Sequence, residues 1–181
     1  IPSNYHVLFF YFFATQQFAA IPMNLMKNGV ADYIVSGSWS KKAYKEAKLY
    51  GDARLIASSE DKNFSYVPDV DSLKFSDDAD YVYICQNETI YGTKYPKLPS
   101  TGNIPLVSDV SSMFLSEPMN VSDYGIIYGG VQKNVGPAGV VIVIIRDDLI
   151  REDVNPQTPT IMRYITQSEA KSLSNTPPCW G

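Results

Sequence analysis

A lysine, an acid and a hydroxyl each follow or end an apolar segment that is typical of a β-strand. Lys133 lies in the glycine-rich run YGGVQKNVGPAG, Asp109 lies in IPLVSDVSS, and Thr89 comes directly after YICQNE. In open α/β sheets the loops at the carboxyl ends of the strands carry the ligand chemistry. We therefore treat these three side chains as candidates for one site.

The chemistry of such a set is that of an amine acting on a carbonyl group. A lysine buried among apolar strands has its amine pKa lowered, which increases the neutral, nucleophilic fraction. Such an amine can form an imine with an aldehyde. An acid one strand away could keep a ring nitrogen protonated, as pyridoxal phosphate (PLP) requires. Trp39, at the start of a predicted helix, offers a flat face for stacking on that ring.

Each of these residues also has an ordinary structural interpretation. Lys133 could be a surface lysine in a turn, and Asp109 could cap the turn that follows it, as the serines at 111 and 112 could. Thr89 could stand there for its β-propensity, and Trp39 could be plain core. The ordered set is a stronger signal than any single member.

The elements that must position these residues alternate between strand and helix. The predicted strands are 7–12, 31–37, 53–59, 80–86, 104–112, 124–130 and 138–146. Helices are predicted at 16–29, where Pro22 removes one backbone hydrogen bond, and at 38–51, with Ser38 as the N-cap. This order predicts an α/β fold with a mostly parallel seven-stranded sheet and helices on both faces. Residues 151–181 show no obvious packing pattern.

Length, charge and cysteine content exclude several classes of protein. The chain has 181 residues, enough for one domain, and its net charge of -4 without any Lys/Arg cluster argues against nucleic-acid binding. The apolar run 7–14 is much shorter than the roughly 20 residues of a membrane helix, so we expect no membrane partner. Cys85 and Cys179 lie far apart and form no CxxC pair, which excludes a four-cysteine zinc site and favours the reducing cytoplasm.

No metal site is expected. His6 is the only histidine, and the acids Asp77, Asp78 and Asp80 lack the spacing of a calcium loop. A solvated loop is the simpler interpretation of this acidic cluster.

One long run resembles a known enzyme family. The run SDVSSMFLSEPMNVSDYGIIYGGVQKNVGPAGVVIVIIRDDL (108–149) closely resembles the phosphoserine aminotransferases, PLP-dependent enzymes of class V and fold type I. QFAAIPMNLM, ADYIVSGSWSKKAYKEAK, NETIYG and NTPP match the same family in the same order. Most of residues 7–155 are covered, and NETI and GxQKNxGPAG are highly specific motifs.

The resemblance implies a role for each matching residue. Lys133 would hold PLP covalently and shuttle the proton of the reaction, Asp109 would pair with the ring nitrogen, and Trp39 would stack on the ring. The remaining cofactor-binding residues would be Ala14, Thr15, Thr89 and Gln132, with Asn175 and Thr176 reaching the phosphate in a neighbouring subunit of a homodimer. The reaction would pass an amino group from L-glutamate to 3-phosphohydroxypyruvate, giving O-phospho-L-serine and 2-oxoglutarate in serine biosynthesis.

Two departures from the family stand out. Phe12 and Phe13 occupy the positions of a glycine pair whose backbone amides cradle the phosphate, and the φ values that glycine tolerates are costly for Phe. The phosphate cradle is retained in part or broken, or the two rings only lengthen a buried strand. Family members are also longer, so we expect 1–181 to be a partial PLP-binding large domain without the N-terminal segment and the C-terminal small domain.

Two other functions remain open at this stage. The chain could be a non-catalytic remnant of the fold that acts as a dimerisation or interaction module, which the two phenylalanines favour. It could also be another class V PLP enzyme, such as a related aminotransferase or a desulfurase. The motifs NETI and NTPP argue against that third function, and a desulfurase would need a cysteine on a mobile loop.

Overall fold

A central sheet of seven strands organises the chain. The computed structural model describes residues 1–176. The sheet strands are β1 (Tyr5–Phe10), β2 (Val30–Val35), β3 (Asp52–Ser58), β4 (Val82–Cys85), β7 (Leu106–Asp109), β8 (Ile126–Gly130) and β9 (Val141–Arg146). Two further strands, β5 (Asn87–Glu88) and β6 (Thr93–Lys94), form a small hairpin. The α-helices are α1 (Gln17–Leu25), α2 (Ser38–Ala47) and α3 (Tyr164–Glu169).

The sheet is mostly parallel, as predicted. Its order is β1-β9-β8-β7-β4-β2-β3. Only β9 runs against its neighbours, because it pairs antiparallel with both β1 and β8 while the remaining pairs are parallel. The inner strands β2, β4 and β7 are buried along their whole length, which explains why their sequences do not alternate between apolar and polar residues.

Helices cover one face of the sheet among the described residues, not both. Residues of α1, α2 and α3 belong to a single core cluster, in which they pack on side chains such as Tyr33, Tyr83 and Val143. The opposite cluster combines strand residues with side chains from loops, for example Val70, Tyr95 and Phe114. The expectation of helices on both faces is therefore wrong for residues 1–176.

The helices are shorter than their sequence patterns indicated. α1 ends at Leu25 instead of residue 29, although it accommodates Pro22 in its interior. α2 ends at Ala47 rather than residue 51. None of the helices within residues 1–176 is long and apolar enough to cross a membrane.

The segment after residue 150 packs on the sheet, contrary to the sequence-based expectation. Tyr164 is fully buried, donates a hydrogen bond to Gln17 Oε1 at 2.7 Å, and meets the ring of Phe10 edge-on at 5.9 Å. Ser172 accepts a hydrogen bond from the backbone of Phe9 on the outer strand. The packing was not visible in the sequence because a six-residue helix carries too little periodicity to reveal a buried face.

We expect Tyr164→Ala to lower the free energy of unfolding by about 3–5 kcal/mol, since it removes a fully buried aromatic ring. Urea unfolding measures the change. Ile161→Ala is the matched control, because Ile161 lies on the same segment and is exposed. Equal stabilities of the two variants would contradict the packing described for α3.

Candidate functional site

A cavity of about 170 Å³ opens at the carboxyl ends of β4, β7 and β8. Seven of the nine residues predicted for the site line it, namely Ala14, Thr15, Trp39, Thr89, Asp109, Gln132 and Lys133. They come from five separate parts of the chain. The parallel strands bring them together, because their carboxyl ends meet at one edge of the sheet.

Lys133 reaches this cavity from the loop between β8 and β9. Its Nζ donates a hydrogen bond to Thr89 Oγ1 at 2.5 Å and lies 5.6 Å from the centre of the Trp39 ring. The expected burial of Lys133 is wrong, since Gln132, Lys133 and Asn134 are all exposed. The loop projects beyond the last paired residues of the two strands, so the lysine lies at the cavity mouth rather than between the strands.

Asp109 is the acid of the cavity and is buried at the end of β7. Its Oδ1 accepts two hydrogen bonds from Ser111, one from the backbone N–H at 2.9 Å and one from the hydroxyl at 2.7 Å. Burial raises the pKa of Asp109, and the hydrogen bonds from Ser111 together with the charge of Lys133 oppose that rise. The carboxylate therefore caps the following turn, as the ordinary interpretation held, and also lines the cavity.

Ser111 links the strand of the acid to the strand that leads to the lysine. Besides donating to Asp109, its Oγ accepts a hydrogen bond from the backbone N–H of Gly130 at 3.1 Å. The two chain segments touch closely, because a Cβ on Gly129 would lie 3.1 Å from Ser111 Cα and 2.9 Å from the Phe114 ring. The sequence pattern indicated only a turn role for Ser111, and its position two residues after the acid was the available signal.

Trp39 forms one wall of the cavity from the first turn of α2. The predicted N-cap, Ser38, does not cap this helix; its hydroxyl lies 3.1 Å from that of Tyr91. The capping group is the distant carboxylate of Glu88, which accepts hydrogen bonds from the backbone N–H groups of Trp39 and Ser40. Sequence reasoning missed Glu88 because capping patterns are sought among adjacent residues.

Ala14 and Thr15 begin a short 3₁₀ turn that leads directly into α1. The first N–H groups of such a turn have no partner within the helix, and they carry partial positive charge. Phe13, just before them, has φ −85° and ψ 147°, and Phe12 does not have positive φ either. The backbone strain expected for these two positions is therefore absent.

The two phenylalanines do not lengthen the first strand. β1 ends at Phe10, Phe12 is half-buried against the core, and Phe13 is 77% exposed and lines the cavity. The alternative of a longer buried strand is wrong. The ring of Phe13 narrows the cavity next to the N–H groups of Ala14 and Thr15.

Asn175 and Thr176, the remaining predicted residues, are exposed and do not line this cavity. Their role across a subunit boundary stays a prediction. The prolines of NTPP and Cys179 lie outside the described residues. Cys85 is a buried free thiol on the cavity floor, and burial raises its pKa.

The residues fit PLP at three points. Desolvation raises the pKa of the buried Asp109 carboxyl, and a cationic partner such as a protonated ring nitrogen would stabilise its charged form. The free N–H groups of Ala14 and Thr15 suit a phosphate. Trp39 and the amine of Lys133 meet over the same space. Across residues 1–176 we find no cluster of three metal-ligating side chains.

Comparison with known proteins places these observations in a family context. The profile of a family described as aminotransferase class-V matches residues 1–178. The chain is 47% identical over 182 residues to the phosphoserine aminotransferase of Lysinibacillus sphaericus, covering 100% of this chain and 50% of that protein. The chain thus spans about half the length of the curated relatives it matches.

Solved structures agree. The phosphoserine aminotransferase of Bacillus circulans subsp. alkalophilus superposes with a TM-score of 0.92 at 45% identity, covering 98% of this chain and 49% of that one. The PLP-bound phosphoserine aminotransferase of Trichomonas vaginalis gives a TM-score of 0.90 at 38% identity, covering 98% of this chain and 50% of that one.

Asp109 should make the cofactor-free chain less stable as pH rises. The folded state holds the carboxyl proton more tightly than the unfolded state, so stability is lost as pH increases from the usual Asp pKa through the raised one. We expect Asp109→Asn to remove this contribution, so that the variant becomes relatively more stable with increasing pH. Urea unfolding of both proteins across that pH window measures the difference, and a constant difference would contradict the raised pKa.

Proposed function

This chain belongs to the class V aminotransferases, and from that premise we propose that it acts as a phosphoserine aminotransferase. The proposed reaction transfers an amino group from L-glutamate to 3-phosphohydroxypyruvate, giving O-phospho-L-serine and 2-oxoglutarate in L-serine biosynthesis. The observation that carries the proposal is the cavity in which Lys133, Asp109, Trp39 and Thr89 meet. The identity to phosphoserine aminotransferases supports the choice of substrates.

PLP is the proposed cofactor, and it supplies an electron sink for the substrate α-carbon when bound. Lys133 would hold the cofactor through Nζ and then take up and return the proton of the α-carbon. Its position at the cavity mouth, hydrogen-bonded to Thr89, suits a group that must move between these tasks. Thr89 would offer its hydroxyl to the ring side of the cofactor.

Asp109 would keep the ring nitrogen protonated. Its Oδ1 is already occupied by Ser111, which fixes the plane of the carboxylate before any ligand arrives. The desolvation that raises the pKa of Asp109 strengthens its interaction with a cationic ring nitrogen, because charges attract more strongly in a low dielectric. Trp39 would cover one ring face and exclude water from it.

The phosphate would be bound by the backbone N–H groups of Ala14 and Thr15, the Thr15 hydroxyl and Gln132. We further propose that Asn175 and Thr176 reach the phosphate in a second copy of the chain, forming a homodimer. Their exposure and their absence from the lining of the cavity within the same chain support this arrangement.

The substrate carboxylates would be bound by residues outside this cavity lining. Lys133 is the only cationic residue among the described residues that line it, and it is engaged with the cofactor. In this proposal, residues 1–181 form part of the PLP-binding large domain, and the carboxylate contacts come from elsewhere in the protein. A cytoplasmic location suits the buried free thiol of Cys85, which a reducing compartment preserves.

Lys133→Ala should abolish covalent capture of PLP and lower transamination by about 10²–10⁴-fold or more, as expected when a proton-transferring group is lost. Visible absorption after PLP addition, then borohydride reduction and mass spectrometry, locates the cofactor on its peptide. Lys42→Ala is the matched control, because Lys42 Nζ lies 4.5 Å from the same Trp39 ring but does not line the cavity.

No visible band in the unmodified chain, combined with self-association in sedimentation, would instead support a non-catalytic dimerisation module. A band together with transamination of a keto acid other than 3-phosphohydroxypyruvate would point to another class V aminotransferase. Loss of the band in Lys42→Ala but not in Lys133→Ala would contradict the assignment of the lysine.

Phe13→Gly should bind PLP more tightly than the unmodified chain. The exposed ring stands beside the free N–H groups proposed to bind the phosphate, and its removal widens their access. Glycine adds backbone freedom that costs about 0.5–1 kcal/mol. This cost offsets part of the benefit of removing the ring, so we expect the affinity for PLP to rise by only a few-fold. Fluorescence titration with PLP gives the Kd, and weaker binding would show that the phenyl ring contributes to the cavity.

A further inference from the structure

We propose that Glu88 is a positioning residue of this site, because its buried carboxylate ties the helix that carries Trp39 to the loop that carries Thr89. The inference rests on the proposed function, since it concerns two walls of the same cavity. Glu88 itself does not line that cavity, so it is not a catalytic residue.

The carboxylate of Glu88 is 1% exposed and makes three hydrogen bonds to the first turn of α2. Oε2 accepts from the backbone N–H of Trp39 at 3.1 Å, and Oε1 accepts from the backbone N–H and the hydroxyl of Ser40 at 2.8 and 2.6 Å. These N–H groups have no partner within the helix. They lie at the positive end of the helix dipole, where an anion is favoured.

The N-terminus of α2 is capped by a distant residue because the residue at its N-cap position has no side chain. An N-cap side chain normally comes from the residue just before the helix, which here is Gly37. A Cβ on Gly37 would lie 2.3 Å from Cδ of Glu88. The glycine thus leaves room for a carboxylate that lies about fifty residues further along the chain, and capping of α2 becomes a contact between two separate elements.

The two elements joined in this way carry groups that face the same ligand space. Thr89 follows Glu88 directly and accepts the hydrogen bond from Lys133. Trp39 donates its backbone N–H to Glu88, and its ring lies 5.6 Å from Lys133 Nζ. The buried carboxylate of Glu88 therefore sets the distance between the Trp39 ring and the Thr89 hydroxyl.

A local cap can be separated from this positioning role by a compensating pair of substitutions. Glu88→Ala removes the carboxylate and vacates the space next to residue 37. Adding Gly37→Ser then supplies a local cap, which the extended backbone of residue 37, with φ 175°, accommodates. The double variant restores the helix cap but not the link between α2 and the Thr89 loop.

Trp180→Phe in every variant leaves Trp39 as the single tryptophan, since the chain has two. Three measurements are made: the urea midpoint, acrylamide quenching of Trp39 without PLP, and the Kd of PLP. We expect Glu88→Ala to lower the urea midpoint, to increase quenching of Trp39 and to weaken PLP binding by about tenfold. This is the lower end of the effect seen when a residue that supports a metal ligand is lost. Ser38→Ala, on the same helical turn, is the control and should change neither quenching nor affinity.

In the double variant Gly37→Ser/Glu88→Ala, we expect the midpoint to recover while quenching and PLP affinity stay at the Glu88→Ala values. Recovery of all three quantities would overturn the proposal and leave Glu88 as a plain helix cap. Unchanged quenching in Glu88→Ala would overturn it as well.

Glu88→Gln provides a second measurement if the double variant does not regain its midpoint. The glutamine amide nitrogen cannot accept a hydrogen bond, so one of the N–H groups of Trp39 and Ser40 loses its partner and exchanges faster with deuterium. Unchanged exchange at both amides, together with unchanged quenching, would refute the link. If the unmodified chain binds no PLP, the proposed function fails, whereas quenching and exchange still test the role of Glu88.

Discussion

The hydrogen bonds of Ser111 are the interaction on which the site depends. One hydroxyl donates to the buried carboxylate of Asp109 and accepts from the backbone of Gly130, three residues before Lys133. The acid and the lysine loop are thereby joined across two neighbouring strands. The missing side chain of Gly129 permits this contact, because any Cβ there would meet the backbone of Ser111. An acid and an amine can act on one ring only if their separation is fixed in this way.

The core beneath the site keeps that edge of the sheet rigid. Four buried tyrosines lie under it, and their hydroxyls pair as Tyr33 with Tyr81 at 2.6 Å and Tyr83 with Tyr128 at 2.7 Å. Each of these four hydroxyls therefore has a partner, which keeps their polar atoms compatible with an apolar interior. Tyr128 also lies opposite Asp109 in the sheet, so the core lies directly beside the acid that lines the cavity.

Short segments at this edge of the sheet carry the residues that line the cavity. The segment Asn87–Thr89 shows how, since each of its residues contacts a different element. Asn87 accepts a hydrogen bond from Ser112 after β7, Glu88 caps α2, and Thr89 binds Lys133. Three consecutive residues therefore each contact a different element around one cavity, which gives a physical reason for the specificity of the NETI motif. By contrast, Phe12 and Phe13 keep ordinary backbone angles and alter the phosphate end only through the bulk of their rings.

The sequence by itself determined the order of the seven sheet strands and the first two helices, the mostly parallel sheet and seven of the residues that line the cavity. The order of these elements along the chain and the candidates Trp39, Thr89, Asp109 and Lys133 depend on local patterns, namely apolar runs, glycine clusters and polar residues at strand ends. Ala14, Thr15 and Gln132 were predicted from the resemblance to a family. Only the tertiary structure decided that Lys133 is exposed at the cavity mouth, that Tyr164 completes the core, and that Glu88 rather than Ser38 caps α2. Each of these depends on contacts between residues far apart in the chain, and strand order and register, which no local pattern encodes, set those contacts.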